Sequence, residues 1–180
     1  MKRIIVILLC IAAAASCAKE ALRATYDRQQ TTIESFVAAQ MKADDTATLT
    51  KTGGAYRLTL NDTRNLPDSL LWGGTVKLYY ACYVLSSATI SNSNLVATNK
   101  ADVAEGAGWS LSDASQFQIA TLKLEKGLVE GLLQGLYGVQ EGDEGYVLFT
   151  GELGYGNSAL GTIPARSALV YHIWVESISN

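Results

Sequence analysis

Apolar residues alternate with polar ones along several stretches, and this sets the expected elements. Thr75–Leu85 (TVKLYYACYVL), Ile119–Leu124 (IATLKL), Tyr56–Leu60 and Ser167–Ile178 all run with period two, the pattern of strands. Tyr146–Thr150, rich in apolar and aromatic residues, predicts one more strand. Helical spacing appears twice. Ile33, Phe36, Val37 and Met41 recur at i, i+3, i+4 and i+8, which predicts a helix over Thr25–Lys42 with one apolar face. Thr31-x-x-Glu34 has the spacing of a capping box. Leu132, Leu133 and Leu136 make a narrower stripe on a shorter helix, with Gly138 at the C′ position, where a left-handed backbone is cheap.

The long closing strand carries two apolar faces. Leu169, Tyr171, Ile173 and Val175 share one and should meet the short helix. Val170, His172, Trp174 and Ile178 share the other, where a sheet bare to water would be polar. Something should therefore cover that face: the Thr25–Lys42 helix or the Tyr56–Leu60 strand. The helix in turn needs a partner, either its own domain, which is favoured, or another chain. Other stretches punctuate the pattern. Asp44–Gly54 is polar and breaks it, Asn61–Asp68 with Pro67 reads as a loop, and Glu141-Gly142-Asp143 turns the chain. Gly151 to Pro164 holds four glycines and a proline without any period, so it is a shaped loop. Ser86–Gln116 is rich in Ser, Asn and Ala; within it Asp102–Gly108 reads as a loop or one helical turn and Trp109 as a satellite anchor.

The segment from Leu128 to Ile178 organises the rest, and it resembles the FKBP family of peptidyl-prolyl isomerases. The family pattern is roughly V-I-x-G-W-x-x-G-L-x-x-M-x-x-G, then A-Y-G, then I-P-x-x-x-x-L-x-F-x-V. This chain has Leu128-Val129-Glu130-Gly131-Leu132, Gly135-Leu136, Val139 and Gly142, then Gly154-Tyr155-Gly156, Ile163-Pro164, Leu169-Val170-Tyr171 and Ile173. Thr75–Leu85 resembles the family's first core strand, with Tyr80 at the pocket tyrosine and Cys82 where glycine is usual. The resemblance implies an α+β fold, a twisted antiparallel sheet wrapped around one short helix. It also implies a pocket for an X-Pro segment: Leu132 as floor where most members carry Trp, and Tyr80, Tyr155, Ile163 and Tyr171 as walls. Val129 would offer a backbone N–H and Tyr155 a hydroxyl to substrate carbonyls. The alternative for each residue is a plain core role. Val96-Ala97-Thr98-Asn99 stands where the family has F-D-x-[ST], so Val replaces Phe and Ala97 replaces the pocket Asp; Leu160 lies near where some members carry His. A smaller, less aromatic floor implies weak or narrow activity.

The amino terminus adds an address. Lys2 and Arg3 precede about twelve apolar residues, Ile4–Ala15, too few to span a bilayer and suited to a signal peptide. Ala14-Ala15-Ser16-Cys17 resembles a bacterial lipobox, with Cys17 as the lipidated first residue; the alternative is an ordinary secretory signal with a chance cysteine. Removing 1–16 leaves 12 basic against 17 acidic side chains, a net charge of about −5 in place of −3. Ala18 differs from the Asp of the common inner-membrane retention signal, which favours the outer membrane of the cell envelope. Residues 17–69 then form a tether (Ala18–Arg23) and a helix/strand extension, and 70–180 the FKBP-like domain.

Composition narrows the chemistry. A chain 48% hydrophobic and 17% charged holds enough apolar material for a core. It has no basic patch, which argues against nucleic acid. Cys10 would leave with the signal and Cys17 would carry lipid, so Cys82 is left alone as a buried, inert thiol. With His172 the single histidine and no paired cysteines, no metal site is expected, and prolyl isomerisation needs no cofactor. Asp44-Asp45 and Glu141/Asp143/Glu144 read as solvated turn carboxylates. Two functional readings follow. One is a lipid-anchored peptidyl-prolyl isomerase acting on proline-containing segments of exported proteins. The other is a non-catalytic envelope lipoprotein binding peptides in a degenerate pocket. A structural envelope protein with a self-filled pocket comes third.

Overall fold

A computed structural model of the chain describes the backbone of residues 2–60 and 68–180 and the side chains of 18–60 and 68–180. The loop expected over Asn61–Asp68 therefore lies outside the described residues except for Asp68. A helix α1 (Lys2–Ala43) leads into strands β1 (Thr48–Thr52), β2 (Ala55–Leu60) and β3 (Thr75–Val84). There follow β4 (Leu95–Thr98), α2 (Ala101–Gly106), β5 (Ala120–Lys123), α3 (Glu130–Leu136), β6 (Glu144–Phe149) and β7 (Leu169–Ser179). All pairings are antiparallel in a sheet of order β1-β2-β6-β7-β3-β4, with β5 also on β3. The α+β reading holds: one twisted sheet with the short helix α3 on its inner face.

The expected strands and the short helix are found with small shifts at their ends, while the helix expected from Thr25 begins at Lys2. Asp44–Gly54 contains a strand. Thr48–Thr52 forms a hairpin with Ala55–Leu60 around Gly53-Gly54, whose φ of +55° and +90° suit the tight turn that matches strand twist. It lacks apolar alternation because it is the edge of the sheet and mostly exposed. Ala18–Arg23, expected as a tether, is helical and continuous with α1. Thr31 is mid-helix, its hydroxyl donating to the Asp27 carbonyl at 3.1 Å, so there is no capping box. Asp143 is buried and accepts the Gln140 N–H at 2.7 Å, so it shapes the turn before β6 and is not a solvated carboxylate. Trp109, expected as a satellite anchor, is exposed and belongs to none of the apolar clusters of the described residues.

Helix α1 packs on its own domain. Ile33 and Phe36 are fully buried with Leu58, Leu148 and Val170, and the Phe36 ring meets Tyr146 edge-on at 5.1 Å. Met41 stays exposed, so the buried stripe is narrower than its spacing suggested. The outer face of β7 is covered in two parts. Helix α1 covers Val170, but Trp174 is met by the β4–α2 side: it packs near Val103 and Ala107, and Lys100 Nζ lies 5.1 Å from its ring. Ile178 is on neither. Between β3 and β7 the register slips, from Lys77↔Ser177 to Leu78↔Val175, so Glu176 is an extra residue. That bulge turns Ile178 to the inner face beside Val76, which period-two counting from Val170 does not foresee.

The inner face holds the main core, with Val76, Leu78, Cys82, Leu136, Val147, Phe149, Leu169 and Ile173 buried among its residues. Helix α3 lies directly on β6 because it has no Cβ where the two meet. A methyl on Gly131 would overlap the Phe149 ring, and one on Gly135 would overlap the Val147 side chain. Gly138 ends this helix with φ +81°, at the C′ position expected. We expect Gly135→Ala to cost about 1–3 kcal/mol, because helix and strand must separate to admit it. Urea unfolding reads this as a lower midpoint at constant m-value, and an unchanged midpoint would show that the contact yields freely.

Candidate active site

Several inner-face elements leave a gap between them. From β3 come Leu78 and Tyr80, and from β7 come Tyr171 and Ile173, each pair two residues apart on one strand face. Helix α3 raises Leu132 and Leu136 from below, and β4 closes one side with Val96 and Ala97. The loop after β6 brings Tyr155 and, further on, a tight turn in which Leu160 and Ile163 exchange backbone hydrogen bonds of 3.0 and 2.9 Å. The result is an open apolar cavity of about 610 Å³. Leu132, Ile163 and Tyr171 are buried in its wall, Tyr80 and Tyr155 are half-buried, and Leu160 stands exposed at the rim.

All six residues expected at a pocket, Tyr80, Val129, Leu132, Tyr155, Ile163 and Tyr171, line this one cavity. Val96 and Ala97, expected at the positions of the family's Phe and Asp, line it too. Sequence reading missed Leu78, Leu122, Leu136 and Ile173. Three of these were within reach, since Leu78 lies two before Tyr80, Ile173 two after Tyr171, and Leu136 four after Leu132 on the same helix stripe. Leu122 had no such signal, because β5 reaches the cavity only through its pairing with β3.

The polar groups of the cavity are uncharged. None of its lining side chains is acidic or basic. The Tyr80 and Tyr171 rings lie 5.9 Å apart, and Tyr171 also stacks on Phe149 at 5.9 Å. Burial raises the Tyr171 hydroxyl far above the ordinary phenol range, with Cys82 and Tyr155 beside it adding to the effect. Tyr80 is raised too, first by burial and then by Cys82 and Tyr155. Both phenols therefore stay protonated at neutral pH and can donate. Val129 is the N-cap of α3, and its N–H goes to no backbone carbonyl of the described residues, which leaves a donor at the cavity wall. Among the described residues no three His, Cys, Asp or Glu side chains gather as a metal ion would need. His172 lies on the opposite sheet face. Its ring lies 3.8 Å from that of Trp174, tilted by 35°, and is bonded to Glu144 Oε1 at 3.0 Å; burial lowers its pKa while Glu144 opposes.

The cavity is thus open, apolar and lined by uncharged side chains. Residues 73–176, more than half of the chain, match the family described as FKBP-type peptidyl-prolyl cis-trans isomerase, and the chain belongs to that family. Its activity class is therefore peptidyl-prolyl cis-trans isomerisation. Solved structures share the fold. FkpA from Escherichia coli is 14% identical with a TM-score of 0.55, over 96% of this chain and 70% of that one. A peptidyl-prolyl cis-trans isomerase from Pseudomonas syringae is 16% identical with a TM-score of 0.55, over 88% and 96%. The three FKBP domains of wheat FKBP73 give 14% identity and a TM-score of 0.56, over 73% of this chain and 50% of that one. Among curated proteins no match is found.

Cys82, on the inner face behind Tyr171, is a free buried thiol. Burial pushes it up to about 12, with the Tyr171 hydroxyl offsetting part of the shift. The thiolate is the reactive form, so an aromatic disulfide reagent at pH 8 should label Cys82 of an Ala18–Asn180 fragment at least ~100-fold more slowly in buffer than in denaturant. Fast labelling of the folded protein would mean the core opens readily at β3.

Proposed function

We propose that the cavity bounded by Leu132, Tyr80, Tyr155, Ile163 and Tyr171 binds X-Pro segments and is where prolyl rotation is accelerated. The observation that carries this reading is that the cavity is open, apolar and free of charged side chains, yet offers donors at its wall. Rotation about a peptide bond faces a barrier of about 18–20 kcal/mol because the planar amide loses resonance. A twisted amide is less charge-separated than a planar one, so a dry apolar wall disfavours the ground state more than the transition state. Leu132 supports the proline ring from below. The Val129 N–H and the Tyr155 hydroxyl hold the flanking carbonyls, each contributing on the order of 0.5–1.5 kcal/mol of orientation.

The departures lower the expected rate. Leu132 gives less stacking surface than Trp, and Ala97 removes a carboxylate from the wall. Peptide binding should survive these changes better than turnover does. The site is carried by a chain whose first residues read as an export signal, so its clients are exported proteins. Multiple acyl chains on Cys17 anchor it in the cell envelope, at about 0.8 kcal/mol per buried CH₂. Ala18 directs it to the outer membrane.

A cis/trans assay on a prolyl peptide tests the site. The protein should accelerate isomerisation, and a Leu132→Ala, Tyr155→Phe double variant should lose at least ~10-fold in kcat/KM, about 1.4 kcal/mol of transition-state stabilisation. No acceleration by the parent protein, with peptide binding still measurable, would favour the binding-lipoprotein reading. The anchor has its own test. Cys17→Ser expressed in a bacterial host should move the protein from the membrane fraction to the soluble envelope fraction and abolish incorporation of labelled fatty acid. Unlabelled parent protein would overturn lipidation.

A further inference from the structure

The loop Gly151–Arg166 supplies Tyr155, Leu160 and Ile163 to the cavity, and its two ends meet at a narrow neck. Gly151 sits so close to the Arg166 backbone that a Cβ there would lie 2.5 Å from the Arg166 carbonyl carbon. The Gly156 N–H donates to the Gly151 carbonyl at 2.9 Å, and the Arg166 N–H donates to the Gly156 carbonyl at 2.6 Å. Arg166 has φ +61°, the single positive φ outside glycine among the described residues. A residue with a Cβ holds that conformation only where its surroundings enforce it.

One side chain from α1 reaches this neck. Gln29 Oε1 accepts the Gly151 N–H at 2.9 Å, and Gln29 Nε2 donates to the Arg166 carbonyl at 2.5 Å. A single planar carboxamide thus satisfies a donor at the first residue of the loop and an acceptor at the last. An amide side chain carries a donor and an acceptor on one planar carbon, so it can address both groups at once. The other contacts of α1 are of a different kind. Ile33 and Phe36 enter the outer core, while Gln30 and Glu34 bond to the Tyr56 hydroxyl and so hold the helix to β2, with no hydrogen bond to Gly151 or Arg166.

We propose that Gln29 is a positioning residue for the cavity: it clasps the neck of the loop, and through it α1 sets Tyr155 and Ile163 at their distance from Leu132. This rests on the reading of the cavity as the X-Pro site. The amino-terminal helix is then part of the binding apparatus as well as a support. A chain with α1 undocked would keep its sheet and lose definition in one wall of its pocket.

Amide hydrogen exchange and isomerase kinetics on the full chain test this, with Gln29→Ala, Gln29→Glu and Gln30→Ala. Gln29→Ala should speed exchange at Gly156 and Arg166 about tenfold and lower kcat/KM about fivefold, mostly through KM. Gln29→Glu keeps the acceptor for Gly151 but loses the donor to Arg166, so it should fall between Gln29→Ala and the parent. Gln30→Ala should lower the unfolding midpoint while leaving both kcat/KM and exchange at Gly156 at parent values. The proposal is overturned if Gln29→Ala exchanges like the parent, or if Gln30→Ala reproduces its kinetic loss. A parent protein without isomerase activity would instead defeat the reading of the site, and exchange at the neck would still decide the role of Gln29.

Discussion

The close approach of α3 to β6 governs the rest of the structure. Gly131 and Gly135 let the helix axis come down onto Phe149 and Val147, and the Gly131 N–H is tied to the Leu153 carbonyl at 2.9 Å. With the helix held low, Leu132 and Leu136 face a curved sheet that does not fully reach them. The remaining space is the cavity. A bulkier helix would sit higher, fill that space with its own side chains and leave an ordinary core.

What the cavity can do follows from which groups were left out of it. It has no carboxylate, no metal-binding cluster among the described residues and no reactive thiol, since Cys82 is held protonated by burial. Protonated phenols and one free helix N-terminal N–H remain. In the proposed reading they orient the carbonyls that flank the proline, and the barrier to be lowered is lost amide resonance. Leu132 and Ala97 stand where the family resemblance places Trp and Asp, so the wall has less stacking area and no fixed charge.

The extension is integrated with the domain by two kinds of contact, apolar burial and side-chain hydrogen bonds. Apolar burial of Ile33 and Phe36 fixes α1 to the outer face of the sheet, where it covers Val170 and Tyr146. The carboxamide of Gln29 addresses the neck of the loop. Burial is non-directional and supplies adhesion. The paired hydrogen bonds are directional and supply geometry.

Much of this was legible in the chain itself. Period-two alternation located β2, β3, β5 and β7 and divided β7 into its two faces. The resemblance of Leu128–Ile178 and of Thr75–Leu85 to the FKBP family led to all six of the residues expected at the cavity. Those features are local, because strand and helix periods are properties of a few consecutive residues. The exceptions were settled by tertiary contact. Strand β1 is an edge with no buried face to pattern, so its place came from the Gly53-Gly54 turn and from pairing with β2. The extra residue Glu176 reversed the side of Ile178, which only the register against β3 reveals. Trp174 was covered from the β4–α2 side, and nothing in the one helical turn expected over Asp102–Gly108 says which part of the sheet it meets. The reach of Gln29 to Gly151 and Arg166, 122 and 137 positions away, has no local signature, because two loop ends become neighbours only after the sheet has folded.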